Sequence, residues 1–276
     1  MSDEHQAGGW RIDLENYQNL NALPNESPVL AMRGTYTEVK FDPRRVLKVE
    51  NQGSVGSCQG QSISSVCEWV YIIATGDVNL QLSRAYGYYE TQRIDGISGD
   101  RGSTIDGGRR LAMEYGICRE ELWTYSGRYD PKRPKPIEEL RADAAKYKIG
   151  SATKLTTYEG IRTFLGAGVG GVHLGIAWNG SVDKNIVDTY SGNSGGGHAI
   201  GLYGLSERVD SSGRPYCWMM NSWGDKWQGD GWAEWSPSAI ETMLRTRSSV
   251  FIGLSDMPAV KPRPISLTEL KEGLRI

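Results

Sequence analysis

The sequence of 276 residues lacks several features that mark common classes of protein. None of its four cysteines belongs to a CxxC pair, which argues against a structural zinc site. Its 31 basic and 33 acidic residues leave a net charge of −2, so no general attraction to nucleic acid or anionic lipid is expected. The first residues show no basic start followed by an apolar stretch, so we expect no signal peptide, no membrane span and a cytoplasmic location.

Glycine, in contrast, is abundant, with 35 residues in the chain. This is roughly double the average usage, and it follows no collagen-like period, so it predicts many tight turns and close backbone approaches. A cleft that binds an extended peptide through its backbone would need such approaches. The chain is long enough for one large domain or for two lobes that share a cleft.

Three short segments carry residues that could act together as a thiol nucleophile site. Cys58 lies in NQGSVGSCQGQS, His198 in GGGHAIGLYG and Asn221 in MMNSWG. A thiol attacks a carbonyl well only as the thiolate, so it needs an imidazole to take its proton, and an amide can fix the tautomer of that imidazole. The other two histidines have less suitable settings, since His5 is near the start of the chain and His173 lies inside the apolar run VHLGIAW. His198 is therefore the candidate base, although each residue taken alone would have an ordinary structural interpretation.

Together, the segments NQGSVGSC, HAIGLYG and NSWGDKWQGDGW resemble the three signatures of papain-like cysteine peptidases, in the order of that family and over roughly residues 41–255. The resemblance implies an α+β fold of two lobes, with a helical left lobe, an antiparallel β-barrel-like right lobe and the active-site cleft between them. It also implies hydrolysis of a peptide or protein substrate through an acyl-enzyme thioester, without a metal or an organic cofactor.

The resemblance also implies a role for each matching residue. Cys58 is the nucleophile, His198 is its base and Asn221 orients the imidazole. Gln52, six residues before Cys58, matches the amide that forms the oxyanion hole together with the backbone N–H of the nucleophile. Trp223 resembles the indole that shields the hydrogen bond between His and Asn from water.

A substrate-binding role is predicted for Asp106, Gly107 and Gly108. They resemble the family stretch whose second glycine pairs with the backbone of an extended substrate, with Asp106 in place of the usual Asn. The negative charge would favour a basic or amino-terminal group of the substrate. The two glycines could equally be residues at the start of a helix.

The chain also departs from the family pattern. Val55 and Ile105 or Asp106 stand where secreted members carry a disulfide, which favours a reduced, intracellular set of thiols. Gln59 replaces a Trp and Gln61 replaces an aromatic residue, so we expect the packing behind the nucleophile to be built differently.

These departures leave two other functions open. The first is a catalytically silent binding module that keeps the cleft. The second is a thiol amidase or an acyl transferase of the transglutaminase type, although such enzymes usually orient their His with an Asp. The oligomeric state is open as well.

The domain organisation follows from composition. Residues 1–40 read as a leader or a short pro-like segment, which we expect to cover the cleft and to be removed by the enzyme itself. The peptidase domain is predicted over 41–255, with the helical lobe over roughly 41–149 and the β-rich lobe over roughly 150–255. Helices are predicted over 57–76, 107–115 and 136–148, and 256–276 is predicted to be a tail with one short helix.

Overall fold

The computed structural model describes residues 9–11, 20–26, 38, 42–178, 185–191 and 196–256. Most of the predicted leader and the predicted tail helix lie outside these ranges. The described α-helices, numbered along the chain, are α1 (Cys58–Thr75), α2 (Arg84–Ile94), α3 (Ile105–Arg110), α4 (Ile137–Ala144), α5 (Tyr158–Gly166) and α6 (Pro237–Arg245). None of the described helices is long and apolar enough to cross a membrane.

Helix α1 positions the nucleophile because Cys58 is its first residue. Apolar residues at helical spacing on α1 are buried in the core. The helix ends where Gly76 adopts the left-handed conformation, with φ of 76°, and donates its N–H to the carbonyl of Ile72. A glycine in this conformation is a common end of a helix. The helix predicted over 57–76 is therefore confirmed.

The other predicted helices are found with changed boundaries. The segment predicted as one helix over 107–115 begins earlier, as α3, and continues as a π-helical turn over Leu111–Tyr115. The segment predicted over 136–148 consists of α4 followed by a 3-10 turn over Ala145–Tyr147. Helix α2 was not predicted.

Glycines let α1 and α2 approach closely. A methyl group on Gly60 of α1 would lie 2.6 Å from the backbone N of Tyr88, and one on Gly87 of α2 would lie 2.6 Å from Ser64 Oγ. Next to this crossing, Arg84 of α2 forms a fully buried ion pair with Glu68 of α1. The close contact and the ion pair fix α1, and with it Cys58, against the rest of the helical part.

The second half of the chain forms one mostly antiparallel sheet. Its strands, numbered along the chain, are β1 (Ser151–Lys154), β2 (Gly170–Trp178), β3 (Ile186–Val187), β4 (Gly196–Val209), β5 (Pro215–Met220), β6 (Trp232–Trp235) and β7 (Val250–Ser255). The order across the sheet is β1-β7-β2-β4-β5-β6-β3, and the β3–β6 pair is parallel. Helix α1 packs on β2 and β4, so the N-terminus of α1 meets the beginning of β4.

Helix α5 and the following strand β2 show that the glycine run at 166–171 is not a dinucleotide-binding fingerprint. This run, GAGVGG, formally fits a dinucleotide-binding fingerprint, which requires a strand before it and a helix after it. The structure has the reverse order, with α5 before the run and β2 after it. The run is therefore a helix-to-strand turn. Helices α5 and α6 pack with the sheet around a second apolar core.

Candidate active site

Cys58 lies at the N-terminus of α1 and is fully buried. The unpaired N–H groups and the positive end of the helix dipole at this position stabilise a thiolate. The preceding residue, Ser57, occupies the N-cap position, but its side chain makes no capping hydrogen bond. Its hydroxyl is instead bonded to the hydroxyl of Tyr125, with the two oxygens 2.7 Å apart. The first turn of the helix is therefore not capped by this hydroxyl.

Strand β4 brings the predicted base to the sulfur. The backbone N–H of Ala199 donates to Cys58 Sγ at 3.4 Å, so the peptide bond that joins His198 to Ala199 lies beside the nucleophile. The Nε2 atom of His198 is 2.8 Å from Oδ1 of Asn221. This Oδ1 also accepts the N–H of Ser222 at 2.8 Å, which identifies it as the oxygen of the amide. Nε2 is therefore the protonated nitrogen, and Nδ1 is buried without a hydrogen-bond partner among the described residues.

Tryptophans enclose the imidazole of His198. Trp223 is stacked on it, with ring centroids 4.8 Å apart, as the resemblance implied. Trp178 meets it edge-on, with centroids 5.1 Å apart. Trp227 contacts both indoles. The rings exclude water from the hydrogen bond to Asn221.

Trp178 contacts the imidazole of His198, and the sequence analysis missed it. It is the last residue of β2, and it pairs with Gly196 of β4, two residues before His198. Knowledge of the register between β2 and β4 would have predicted that Trp178 lies near His198. That register cannot be predicted from the sequences of the two segments taken separately.

Gln52 is held firmly near the nucleophile. Its Nε2 donates to the carbonyl of Val55 at 2.9 Å, and its Oε1 accepts from Ser222 Oγ at 2.6 Å. Its backbone N–H donates to the carbonyl of Ser222 at 2.8 Å. The side-chain amide is buried, and a second N–H on Nε2 remains for another acceptor.

The structure does not bring Asp106, Gly107 and Gly108 to the sulfur. All three lie in α3, and methyl groups on the two glycines would overlap the side chains of Asp95 and Gln59. Asp106 forms an ion pair with Arg109 of the same helix at 2.6 Å, so its charge is already balanced. The glycines thus lie at the beginning of a helix, which is the alternative that the sequence left open.

The two glutamines that depart from the family pattern form hydrogen bonds behind the nucleophile. Gln59 Oε1 accepts from Ser103 Oγ at 2.7 Å, and Gln61 Nε2 donates to Ser57 Oγ at 3.3 Å. Both side chains are buried. Gln59 thus joins α1 to the loop of Ser103, and Gln61 bonds to the N-cap residue of its own helix.

Residues 9–11, which belong to the predicted leader, lie against Cys58. The N–H of Ser103 donates to the carbonyl of Gly9 at 3.0 Å, and the N–H of Arg11 donates to the carbonyl of Ser103 at 3.1 Å. A methyl group on Gly9 would lie 2.9 Å from Cys58 Sγ and would overlap the carbonyl of Gly56. The segment therefore occupies the space through which a carbonyl group would approach the sulfur.

Burial keeps both reactive groups neutral. Desolvation raises the pKa of Cys58 to about 12, although backbone N–H groups that point at the sulfur, led by that of Ala199, oppose the change. Desolvation also lowers the pKa of His198 to about 4, opposed by the hydrogen bond to Asn221. The covered site thus holds a thiol and a neutral imidazole at neutral pH.

The cysteines of this chain show no pairing. All four are free and buried. In the part of the chain that the structure describes, no group of three or more His, Cys, Asp or Glu side chains could hold a metal ion.

The fold and the arrangement of Cys58, His198 and Asn221 define a class of protein. Residues 37–250 match the family model of the papain family cysteine proteases, so the chain belongs to this family and is a cysteine peptidase. The α+β papain-like fold that the resemblance implied is confirmed.

Solved structures with a similar fold come from several organisms. Xylellain, a cysteine protease from Xylella fastidiosa, is 21% identical with a TM-score of 0.70, over 93% of this chain and 99% of that chain. Procathepsin B S9 from Trypanosoma congolense is 18% identical with a TM-score of 0.65, over 91% of this chain and 87% of that one. Digestive procathepsin L 3 from the larval midgut of Tenebrio molitor is 17% identical with a TM-score of 0.65, over 92% and 76%. No curated protein matches the sequence.

Proposed function

We propose that this peptidase hydrolyses peptide bonds through the Cys58 thiolate and the His198 imidazolium. The observation that carries this proposal is a pair of contacts, one at the sulfur and one at the imidazole. Ala199 N–H points at Sγ, and the neighbouring His198 donates from Nε2 to Asn221 Oδ1 at 2.8 Å. The hydrogen bond to Asn221 leaves Nδ1 as the basic nitrogen of the ring.

The reaction follows from this arrangement. Nδ1 of His198 takes the proton of the Cys58 thiol, and the sulfur attacks the carbonyl carbon of the peptide bond. The oxyanion that forms accepts hydrogen bonds from Gln52 Nε2 and from the backbone N–H of Cys58. The imidazolium then gives its proton to the leaving amine, and the C–N bond breaks to leave a thioester.

A water molecule completes the cycle. Nδ1 of His198 takes a proton from the water, whose oxygen attacks the thioester carbonyl. The second oxyanion collapses, the C–S bond breaks, and the sulfur takes back the proton as the carboxylic acid leaves. No oxidant, metal or second substrate enters these steps.

The reactive ion pair forms when solvent reaches the site. Burial is the largest cause of the raised pKa of Cys58, so removing residues 9–11 from the sulfur lowers this pKa. The thiolate and the imidazolium then stabilise each other. Peptidase activity therefore belongs to the uncovered state.

Replacement of the nucleophile tests the proposal. In a Cys58→Ala variant we expect the turnover of a fluorogenic peptide mixture to fall by roughly 10⁴-fold or more. Cys217→Ala is the matched control, because Cys217 is also free and buried but lies on β5. Retention of turnover in the Cys58→Ala variant would refute the mechanism.

Two measurements separate the remaining alternatives. A silent binding module would not react with a peptide-like epoxide that alkylates Cys58, whereas the peptidase reacts once it is uncovered. An acyl transferase would attach added amines to the acyl group, whereas the peptidase releases the free acid.

A further inference from the structure

Gln61 lies on α1, one turn after the nucleophile, and its buried side chain carries an amide. The Nε2 atom of this amide donates to Ser57 Oγ at 3.3 Å. The family pattern has an aromatic residue at this position, and an aromatic ring cannot offer the paired donor and acceptor of an amide. The contacts of Gln61 are therefore not contacts that the family pattern supplies.

A chain of hydrogen bonds runs from Gln61 to the backbone of Gln52. Ser57 Oγ and the hydroxyl of Tyr125 are 2.7 Å apart, and this hydroxyl donates to the carbonyl of Gln52 at 2.8 Å. A carbonyl can only accept, so the single proton of the Tyr125 hydroxyl lies in the bond to Gln52. The proton of Ser57 then lies in its bond to Tyr125, and Ser57 Oγ accepts from Gln61. Every bond of the chain thus points from Gln61 toward Gln52.

The direction of this chain also fixes the amide of Gln61. Because Ser57 Oγ has no further proton to donate, it must face the nitrogen of the amide, and the amide oxygen is left for another partner. This atom, Gln61 Oε1, is buried and has no hydrogen-bond partner among the described residues. The same holds for Nδ2 of Asn221, whose Oδ1 is bonded to His198 and Ser222. A buried acceptor and a buried donor without partners both cost free energy.

Gln61 and Asn221 line the same small cavity between α1 and β4. The volume of this cavity is about 10 Å³, which is close to the smallest volume that holds one water molecule. Ser65 and Tyr203, which carry hydroxyl groups, line it as well. Because water has two protons and two lone pairs, one water molecule can donate to Gln61 Oε1 and accept from Asn221 Nδ2 at the same time.

We propose that Gln61 is a positioning residue for the reaction and acts through two arms. The hydroxyl arm, formed by Ser57 and Tyr125, holds the backbone of Gln52. The water arm, formed by one water molecule in the cavity, holds the amide of Asn221. Gln61 thus keeps the oxyanion donor and the orienting amide of the imidazole in place without touching the substrate. This inference rests on the proposed function, because both groups serve that reaction.

Substitutions of Gln61 and Tyr125 separate the two arms. All proteins carry Gly9→Ala as the background, because a methyl group there leaves no room for the segment that covers the sulfur. Gln61→Met keeps the length of the side chain and removes both arms, whereas Tyr125→Phe removes the hydroxyl arm alone. Two rates are measured, which are kcat for a fluorogenic peptide and the alkylation of Cys58 by iodoacetamide. Alkylation forms no oxyanion, so its rate reports the thiolate and not the oxyanion donor.

The two substitutions should change the two rates differently. We expect Gln61→Met to lower kcat and the alkylation rate about tenfold each, with little change in KM. Tyr125→Phe should lower kcat about tenfold and keep the alkylation rate within about twofold of the background. A general loss of packing would not separate the rates in this way. Gln81→Met is the control that keeps both rates, because the side chain of Gln81 bonds to the adjacent carbonyl of Leu80.

A double substitution and a crystal structure test the water arm. If Gln61 acts on the imidazole through Asn221, Gln61→Met should no longer lower the alkylation rate once Asn221→Ala is present. The crystal structure should show a water molecule within hydrogen-bond distance of Gln61 Oε1 and Asn221 Nδ2. A structure without this water, an unchanged alkylation rate in Gln61→Met or an unchanged kcat in Tyr125→Phe would overturn the inference.

Failure of the proposed function gives a different result. Slower alkylation in Gln61→Met, without cleavage of the peptide by any of the proteins, would support the positioning role and count against the peptidase mechanism. Cleavage of the peptide at equal rates by the background and by Gln61→Met would leave the peptidase mechanism in place and overturn the positioning role.

Discussion

The side-chain amide of Gln52 is held by Ser222 Oγ at its oxygen and by the carbonyl of Val55 at its nitrogen. A donor fixed before the reaction costs no reorganisation when the oxyanion forms. The two bonds therefore fix Gln52 in advance for the oxyanion role that we propose.

Removal of this donor gives the first prediction at the residue scale. We expect Gln52→Ala to lower kcat roughly 10²- to 10³-fold with little change in KM, because the bond strengthens only in the transition state. Ser222→Ala, which keeps the amide but loosens it, should lose about tenfold. Steady-state kinetics on one peptide measures both variants, and a Gln52→Ala kcat within threefold of the parent would count against the oxyanion role.

His173 should make the free energy of unfolding depend on pH. It is fully buried, its Nδ1 lies 2.8 Å from Ser62 Oγ, and burial lowers its pKa to about 3. The folded protein therefore keeps this ring neutral, while the unfolded chain protonates it near its ordinary pKa of 6.5. The contribution of His173 is complete above this value and is lost progressively as the pH falls toward the folded pKa.

The loss of this contribution at lower pH leads to a prediction for unfolding in urea. Between pH 7 and pH 5, His173 should account for about 2 kcal/mol of the fall in the free energy of unfolding. A His173→Gln variant should therefore lose about that much less than the parent over this interval. His198, whose pKa is lowered in the same direction, is present in both proteins and cancels in the comparison. Parallel pH profiles for the two proteins would exclude this role for the ring.

At the scale of elements, a carboxylate joins the loop before α1 to the loop before α3. Oδ1 of Asp100 accepts the N–H of Gly56 at 2.9 Å and the hydroxyl of Tyr88 at 2.8 Å. The buried amide of Gln92 donates to the carbonyls of Gly99 and Gly102, at 2.9 and 3.0 Å. These bonds tie the nucleophile segment to the loop that carries Ser103, near where the family resemblance placed an absent disulfide.

Loss of this tie should weaken both stability and substrate binding. We expect Asp100→Ala to lower the free energy of unfolding by about 2 to 3 kcal/mol, because it removes two bonds to a carboxylate. The KM for peptides should rise several-fold, since Ser103 is held less firmly. Asp77→Ala is the control, because Asp77 accepts a local bond from Asn79 N–H in an exposed turn. An effect no larger than that of the control would show that the tie is unimportant.

The elements also show which parts of the fold the sequence could predict. Helix α1 was predicted within one residue at each end because its apolar spacing and Gly76 are local signals. Helix α2 was missed because its buried face is built from Arg84 and several tyrosines rather than from aliphatic residues. Arg84 is buried only because Glu68 of α1 pairs with it, and such a partner is not visible in the local pattern.

The same limit applies to the site. His198 and Asn221 were predictable because each lies in a distinctive segment and few histidines compete. The backbone pairing of Ser103 with residues 9–11 was not predictable. The Gly-Gly match at 107–108 lay nearby, and only the folded loop shows that Ser103, and not these glycines, pairs with an extended segment. Trp178 and the contact of Trp10 with Gly175 depend on strand register and on the path of the leader.

At the scale of the whole molecule, residues 9–11 contact the nucleophile of the same chain. Gly9 has no room for a side chain between Gly56 and Cys58. Gly9→Ala should therefore displace residues 9–11, and we expect iodoacetamide to alkylate Cys58 about tenfold faster than in the parent at neutral pH.

Arg11→Ala is the matched control for this prediction. The side chain of Arg11 is exposed, and its backbone N–H keeps the bond to Ser103. Mass spectrometry of the alkylated peptide measures the rate. Equal rates in the parent and in Gly9→Ala would mean that the segment does not limit access to the sulfur.

Residues 9–11 are part of the polypeptide whose nucleophile they cover. The local concentration of such an occupant is fixed by the connecting chain and does not fall when the protein is diluted. A free inhibitor can be washed away, but this one leaves only when the chain is cut or rearranged. The active fraction of a sample would thus depend on how many chains have been cut or rearranged, and not on the protein concentration.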